Sequence, residues 1–338
     1  MAFLSSLLKM LPDAAAQGLI WGIMALGVYI TYKVLDFSDL TVDGSIVTGG
    51  AVSAFFILAG YPMPVAILAA ALSAALAGLV TGLLHTRLGI PPILSGILTQ
   101  LGLYSVNLRI MGKSMLAVSV DKYPLLVSVR NQTGSVLTAT VFVIVVIALM
   151  YWFFGTEQGC AIRATGANAN MSRAQGINTD NAKLLGLILG NGLVGLSGAL
   201  YTQYLGSVTV NMGRGAIVIG LAAVIIGDVL IGKHFNNFAV KLLSVIIGAI
   251  IYYVVIAFVI QLGLNTDDLK LFSAAFVAIF LSIPYLKGQR KSQSKKMNYN
   301  KAACDNVAHT QEVNSCASSK KDADMNLASK APGGNTHA

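Results

Sequence analysis

Ser135-Val-Leu-Thr-Ala-Thr-Val-Phe-Val-Ile-Val-Val-Ile-Ala-Leu-Met-Tyr-Trp-Phe-Phe154 carries no charged side chain over a length that, as a helix, crosses the hydrocarbon of a bilayer. Alone, such a run is either a membrane span or a helix buried in a large soluble core. Similar runs occupy residues 18–35, 45–60, 63–84, 91–111, 183–205, 215–231, 238–262 and 269–285. Nine of them in 338 residues leave too little polar surface for a soluble fold, and the composition of 55% hydrophobic and 11% charged residues agrees. The expected fold is an all-α polytopic membrane protein, a bundle of about eight to ten transmembrane helices, with residues 1–286 as the membrane domain. A secreted disulfide scaffold, a nucleic-acid-binding domain and a cytosolic dehydrogenase are excluded.

Tyr61-Pro62-Met63-Pro64, Gly89-Ile90-Pro91-Pro92 and Asn265-Thr266-Asp267-Asp268 punctuate the runs. Small residues dominate 69–77, and Gly186, Gly190, Gly192, Gly195 and Gly198 recur along one predicted helix, which lets helices approach closely. Cys160, Cys304 and Cys316 have neither paired spacing nor an even count, so no disulfide and no metal site is expected. The start, with Lys9 and Pro12, lacks the long apolar core and small-residue site of a cleaved signal peptide.

The net charge of +9 divides unevenly, because the segment from Lys287 onward carries nine basic and four acidic side chains. Its Ser, Asn, Lys and Ala content predicts a disordered basic tail over 287–338 beside anionic lipid. Counted over alternate loops, Arg87, Arg163, Arg173, Lys183, Lys233 and Lys241 on one side balance Arg109, Lys113, Lys122, Arg130, Arg214 and Lys270 on the other. The tail breaks the tie and places the first set in the cytoplasm. The longer loop, 112–134, then faces outward.

The first two runs resist simple alternation, since Asp36, Asp39 and Asp43 form an acidic connector. The Asp43-Gly44-Ser45 turn either caps a half-helix whose amides point inward at membrane depth, or starts an ordinary short helix at the interface. Polar groups inside spans are costly and are the default candidates for a solute path. Asp43, Thr48, Gln100, Tyr104, Asn107 and Asn191 form that candidate set; Gln203 also lies in an apolar run. Gln100, Tyr104 and Asn107 share a helix face by spacing, offering two amides and a phenol to a zwitterionic or polar solute. Helix-to-helix hydrogen bonding, at about 0.6–2 kcal/mol each, accounts for them equally well. Lys33 and Arg109, near span ends, are expected to snorkel. His85 has no ligand partners at metal spacing and reads as structural.

Residues 156–182 are polar without being disordered in composition. Asn168 is a suitable N-cap, residues 169–175 suit two turns, and Gly176 followed by Ile177 fits a left-handed stop with a hydrophobic residue behind it. Met171 and Ala174 would share one face, and Arg173 is placed for polar contact or the helix C-terminal end. A short rigid helix on a cytoplasmic loop is a lever that a partner can push.

Gly159-Cys-Ala-Ile-Arg-Ala-Thr-Gly-Ala-Asn, followed by Ser172-Arg-Ala-Gln-Gly-Ile-Asn-Thr-Asp, resembles the coupling loop of ABC import permeases of the branched-chain amino acid and ribose class. Asp39-Leu-Thr-Val-Asp-Gly-Ser and Ala222-Ala-Val-Ile-Ile-Gly-Asp are similar to early and late elements of the same class, although Asp228 stands where that element often has Gly. Gly18-Leu-Ile-Trp-Gly-Ile-Met-Ala-Leu-Gly-Val-Tyr-Ile-Thr with Asp36-Phe-Ser-Asp-Leu-Thr-Val-Asp-Gly resembles the tryptophan/tyrosine variant.

The resemblance implies a multi-pass permease of the bacterial inner (cytoplasmic) membrane, working by alternating access for a separate cytoplasmic ATPase pair and fed by an extracytoplasmic binding protein. A second permease copy or a paralogue would enclose the pathway. It implies that Arg163, Gly166, Asn168, Met171, Arg173, Ala174 and Gly176 serve ATPase coupling. Amino acids, aromatic ones favoured, are the implied cargo; branched-chain amino acids, sugars and nucleosides stay open. The chain has no phosphate loop, so it should be no enzyme and hold no cofactor, with ATP and magnesium bound by the partner. An ion-coupled secondary transporter would want ionisable groups near the midplane, where the central spans have almost none. A membrane-embedded hydrolase lacks any His-Glu-x-x-His or Gly-x-Ser-x-Gly signature.

Overall fold

The computed structural model describes residues 2–119, 123, 125–130, 132–232 and 237–261, with 271, 275 and 278 as isolated positions. Helix α1 (Ala2–Tyr29) runs into a π-helical turn (Ile30–Val34), followed by α2 (Val42–Leu58), α3 (Met63–Thr86) and α4 (Pro92–Met111). Strand β1 (Met115–Ala117) precedes α5 (Gln132–Phe154), α6 (Glu157–Ala167), α7 (Ala169–Ala174) and α8 (Thr179–Leu205). Strand β2 (Ser207–Thr209), α9 (Ala216–Gly227) with its π-helical extension (Asp228–Gly232), and α10 (Phe238–Gln261) complete the order. Every apolar run but the last falls on a helix. The run 269–285, isolated positions aside, and the tail 287–338 lie outside the described residues.

The runs are not equivalent, as an even count of spans would have had them. Among the described residues five helices are long and apolar enough to cross a membrane: Met10–Val34, Met63–Thr86, Gln132–Phe154, Thr179–Leu205 and Phe238–Gln261. Val42–Leu58 and Ala216–Ile231 are apolar but short. Helix α4 has the length and not the apolarity, because Gln100, Asn107 and Arg109 interrupt it.

Packing follows the logic of a solvent that is itself apolar. Helix α3 turns Ala66, Ala70, Ala74, Ala77 and Gly78 inward and Leu68, Leu72, Leu76 and Val80 outward. Small residues inside and large ones outside let backbones approach while leucine meets lipid. Helix α5 buries the stripe Ser135, Ala139, Val143, Val146, Met150 and Phe154, at helical spacing, and exposes Leu137, Val141, Ile144, Leu149 and Trp152. From Gly18 to Tyr29 helix α1 is covered on all sides, with Ile20, Ile23, Met24 and Leu26 fully buried, so this part needs no polar face and shows none. It packs against α5, α8, α9 and α10 as the central element. The fold is an all-α polytopic membrane protein.

The two short helices start inside the bundle. Asn191 lies midway along α8; its Nδ2 donates to Asp39 Oδ2 at 2.7 Å, and its Oδ1 accepts from Ser45 Oγ at 2.6 Å. The connector before α2 therefore reaches mid-depth, where it is enclosed by protein, the condition that allows irregular backbone there. Asp39 Oδ1 accepts the Thr41 amide at 2.9 Å, and Thr41, Thr81 and Thr99 form a buried hydroxyl chain from α2 to α3 and α4. The expectation that Asp43-Gly44-Ser45 caps its own helix is corrected. Thr41 is the N-cap residue of α2, and Asp43 instead accepts the amides of Gly215 at 3.0 Å and Ile217 at 2.9 Å, capping α9. Helices α2 and α9 thus begin at one point and run to opposite ends of the bundle, α2 to the end with β1 and β2, α9 to the end with α7.

Replacing Asn191 by leucine would leave Asp39, 2% exposed, and Ser45 without the partner they share. A loss of about 3 kcal/mol is expected, the range for stranding a buried hydrogen-bonded charge. Thermal unfolding in detergent reads it; an unchanged midpoint would mean the triad does not hold the connector.

Residues 112–134, expected as a loop, are not wholly irregular. The structure closes their start with an antiparallel pair, Leu116 opposite Val208, extended by Val118 N–H to Gly206 O at 2.8 Å and Val210 N–H to Ser114 O at 3.1 Å. Three residues per strand are too few for an alternation signal, and only the fold brings 115–117 to 207–209.

Candidate functional site

Two places concentrate polar chemistry. One is a cavity of about 390 Å³ between α2, α4 and the segment leading to α9. Its lining includes Asp43, Gln100, Tyr104, Asn107 and Arg214, with Val47, Ile97 and Leu101 as apolar wall. One turn of spacing along α4 brings Gln100, Tyr104 and Asn107 to it, and the meeting of two helix starts brings Asp43. Asn107 is 1% exposed; its Nδ2 donates to Gly44 O at 3.4 Å, and its Oδ1 has no partner among the described residues. An unmet buried acceptor behind a cavity wall is a place for an ordered water.

Two of the six pathway residues lie elsewhere. Thr48 donates to Gly44 O within its own helix at 3.0 Å, and Asn191 belongs to the buried triad with Asp39 and Ser45. Arg214, absent from that set, joins the cavity because the chain after β2 folds back inward, with Gly213 packed on the Asp43 carbonyl. Nothing in its local sequence distinguishes it from a loop cation. Lys33 does not snorkel alone: its Nζ lies 3.4 Å from Asp228 Oδ2. His85 Nδ1 is 2.8 Å from Ile90 O and Nε2 is 3.2 Å from Lys183 Nζ, ordinary packing partners.

The other place is the arm formed by α6 and α7. Arg163 donates from Nη2 to Phe154 O at 2.7 Å and lies 5.7 Å over the Phe238 ring. Gly166 touches the Val34 carbonyl where any Cβ would overlap it, so α6 is seated on the end of α1. Asn168 Oδ1 accepts the Met171 amide at 3.0 Å and caps α7. At the other end Gly176, with φ of 83°, closes the helix: its amide reaches Arg173 O and that of Ile177 reaches Ser172 O, both at 3.0 Å. Arg173 donates from Nε to Thr179 Oγ1 at 2.8 Å and lies 3.5 Å from Asp180, bracing α7 against the start of α8.

The seven residues expected to serve coupling therefore differ in what they touch. Met171, 58% exposed, and Ala174 form the outward face. Asn168 and Gly176 shape the helix, while Arg163, Gly166 and Arg173 fasten it to the bundle. The arm of α6 and α7 is thereby joined to the end of the first membrane-crossing helix and to the start of α8.

Residues 10–283 match the family described as branched-chain amino acid transport system / permease component. A tyrosine transport system permease protein of Clostridioides difficile (strain R20291) is 41% identical over 281 residues, covering 83% of this chain and 93% of its own length. The galactose/methyl galactoside import permease protein MglC of Haemophilus influenzae is 24% identical and covers 68% of this chain and 69% of its own. Among solved structures, PsaBC from Streptococcus pneumoniae in complex with Fab aligns with a TM-score of 0.47 at 15% identity, over 82% of this chain and 95% of that one. The lipid-facing helices, the buried polar connector and the braced arm are thus those of a protein that belongs to the branched-chain amino acid transport system permease family, the membrane-spanning permease component of an ABC import system.

Proposed function

We propose that the chain imports an amino acid with an aromatic side chain into a bacterial cytoplasm across the inner membrane. ATP would be hydrolysed on a separate ATPase pair that grips α7, and an extracytoplasmic binding protein would deliver the cargo at the end marked by β1 and β2. The end bearing α7 is then cytoplasmic. A second copy or a paralogue closes the path along α4, where Ile97 and Leu101 of the cavity wall and Leu108 beyond it stand exposed.

The observation that carries this reading is the charge pattern of the cavity. Arg214 on the lining offers a cation to a carboxylate, the Asp43 carboxylate that caps α9 gives the same wall a negative group for an ammonium, and Tyr104 with the apolar wall suits a ring. A sugar would leave Arg214 without a counter-charge. The relative named for tyrosine transport supports the same cargo.

The test is uptake into vesicles containing the permease, its co-expressed ATPase and the neighbouring binding protein. Tyrosine uptake driven by ATP is expected, inhibited by tryptophan and phenylalanine and not by ribose. Arg214→Gln should lower uptake about tenfold, the worth of one charge-assisted contact, while ATPase association stays intact. Ribose or leucine transport without tyrosine transport would overturn the assignment.

A further inference from the structure

We propose that the cavity where α1, α6 and α10 meet is a binding site for the phosphate group of an anionic phospholipid. It encloses about 330 Å³ and is lined by Tyr29, Val34 and Phe238 on its apolar side and by Lys33, Arg163 and Lys241 on its charged side. None of these residues touches the cavity beside Asp43, so the site is independent of the cargo and of its assignment.

The charge does not balance from within. Asp228 lies 3.4 Å from Lys33 Nζ, with the two side chains 43% and 52% exposed. Arg163 donates from Nη2 to the Phe154 carbonyl at 2.7 Å and to Cys160 Sγ at 3.4 Å, and its Cζ lies 5.7 Å from the Phe238 ring centroid, contacts that hold the guanidinium without neutralising it. Lys241 is half-buried, and its ammonium has no partner among the described residues. Three cations thus face one carboxylate.

The depth is that of a headgroup. Lys33 ends the membrane-crossing helix Met10–Val34, and Lys241 lies in the first turn of Phe238–Gln261. Both therefore stand where hydrocarbon gives way to phosphate, and Arg163 joins them from the arm outside the membrane. A basic cluster between helix ends at that level matches an acidic lipid. The aromatic floor decides between sources of the same chemistry. Free phosphate would satisfy the cations and leave the half-buried Phe238 uncovered beside the edges of Tyr29 and Val34, whereas a lipid places its glycerol and upper acyl chain there. The occupant would touch α6, the segment that carries α7.

The experiment titrates the full chain, purified in uncharged detergent, with phosphatidylglycerol, phosphatidylcholine or inorganic phosphate and follows thermal unfolding. Phosphatidylglycerol should raise the midpoint saturably and phosphatidylcholine should not. Lys241→Gln, which breaks no side-chain hydrogen bond among the described residues, should weaken the phosphatidylglycerol response about fivefold, the share of one basic residue at an anionic surface. Lys241→Arg should restore it, and Lys113→Gln at the other end should leave it unchanged. Equal responses from native protein and Lys241→Gln, or from the two lipids, would overturn the site. If inorganic phosphate alone reproduces the shift with the same dependence on Lys241, the lipid source is overturned and the pocket takes a soluble phosphate group.

Discussion

Gly49→Val is expected to leave no folded protein to purify. Gly49 of α2 faces Gly195 of α8 so closely that an added Cβ would lie 2.6 Å from the Gly195 Cα and overlap its carbonyl oxygen. Both obstacles are backbone, so no side chain can rotate out of the way. Gly195 in turn sits against Ala74 and the Ala70 carbonyl of α3, and Gly198 against the Ile46 carbonyl of α2. Three helices are stacked at this level without room to part. Overpacking a tight core costs about 1–3 kcal/mol, and more where backbone must shift, while a whole domain is held by only about 5–15 kcal/mol. Size-exclusion of the detergent extract should show aggregate. Gly102→Val is the control, since nothing lies within 4 Å of a Cβ there, and it should stay monodisperse. A monodisperse Gly49→Val protein with a native unfolding midpoint would mean that α2 and α8 do not meet as described.

That contact explains which parts of the fold could be read from residue order. A long stretch without charge marks α3, α5 and, beyond Lys183 and Lys241, α8 and α10, because a bilayer imposes one requirement on every span. The glycines of α8 announce close packing without naming the partner; α2 and α3 turn out to share it. The re-entrant starts of α2 and α9 were half visible. The acidic connector signalled irregular backbone, but an aspartate in the first turn of a helix looks like that helix's own cap. Only the meeting of residues 43 and 215–217 shows that it serves another. The β1–β2 pair had no signal, since its two strands are short and far apart in the chain.

Among the polar residues the difference lies in what each side chain faces. Gln100, Tyr104 and Asn107 could be grouped by spacing along one helix, and the cavity lies on that face. Asn191 was indistinguishable from them as an amide in an apolar run. Its partners Asp39 and Ser45 arrive from a segment some 150 residues away, as the separation of 152 between Asn191 and Asp39 shows. Arg214 was hidden for the opposite reason: a cation after a predicted span is normally a loop residue, and the inward turn of the chain is a tertiary event. Helix α7 was legible almost to the residue, because its cap, its stop and its exposed face are all local.

Met171→Asp is expected to abolish uptake while leaving the permease folded. Met171 is the third residue of α7, where an acidic side chain favours the helix by facing the positive end of its dipole. Its side chain is 58% exposed and makes no contact that holds the bundle, so stability should change by less than about 0.5 kcal/mol. What the substitution removes is an apolar, adaptable side chain, and what it adds is a charge that the proposed ATPase partner would have to desolvate on docking. Interface anchors of this kind carry about 2–4 kcal/mol, enough to weaken the docking by thirtyfold or more. Co-purification of the ATPase should be lost, transport-linked ATP hydrolysis should fall to background, and the unfolding midpoint should stay put. Met171→Leu keeps shape and polarity and should restore all three. Full uptake by Met171→Asp would show that force enters the bundle by some route other than α7, and would remove the mechanical role given to its fastening through Arg163, Gly166 and Arg173.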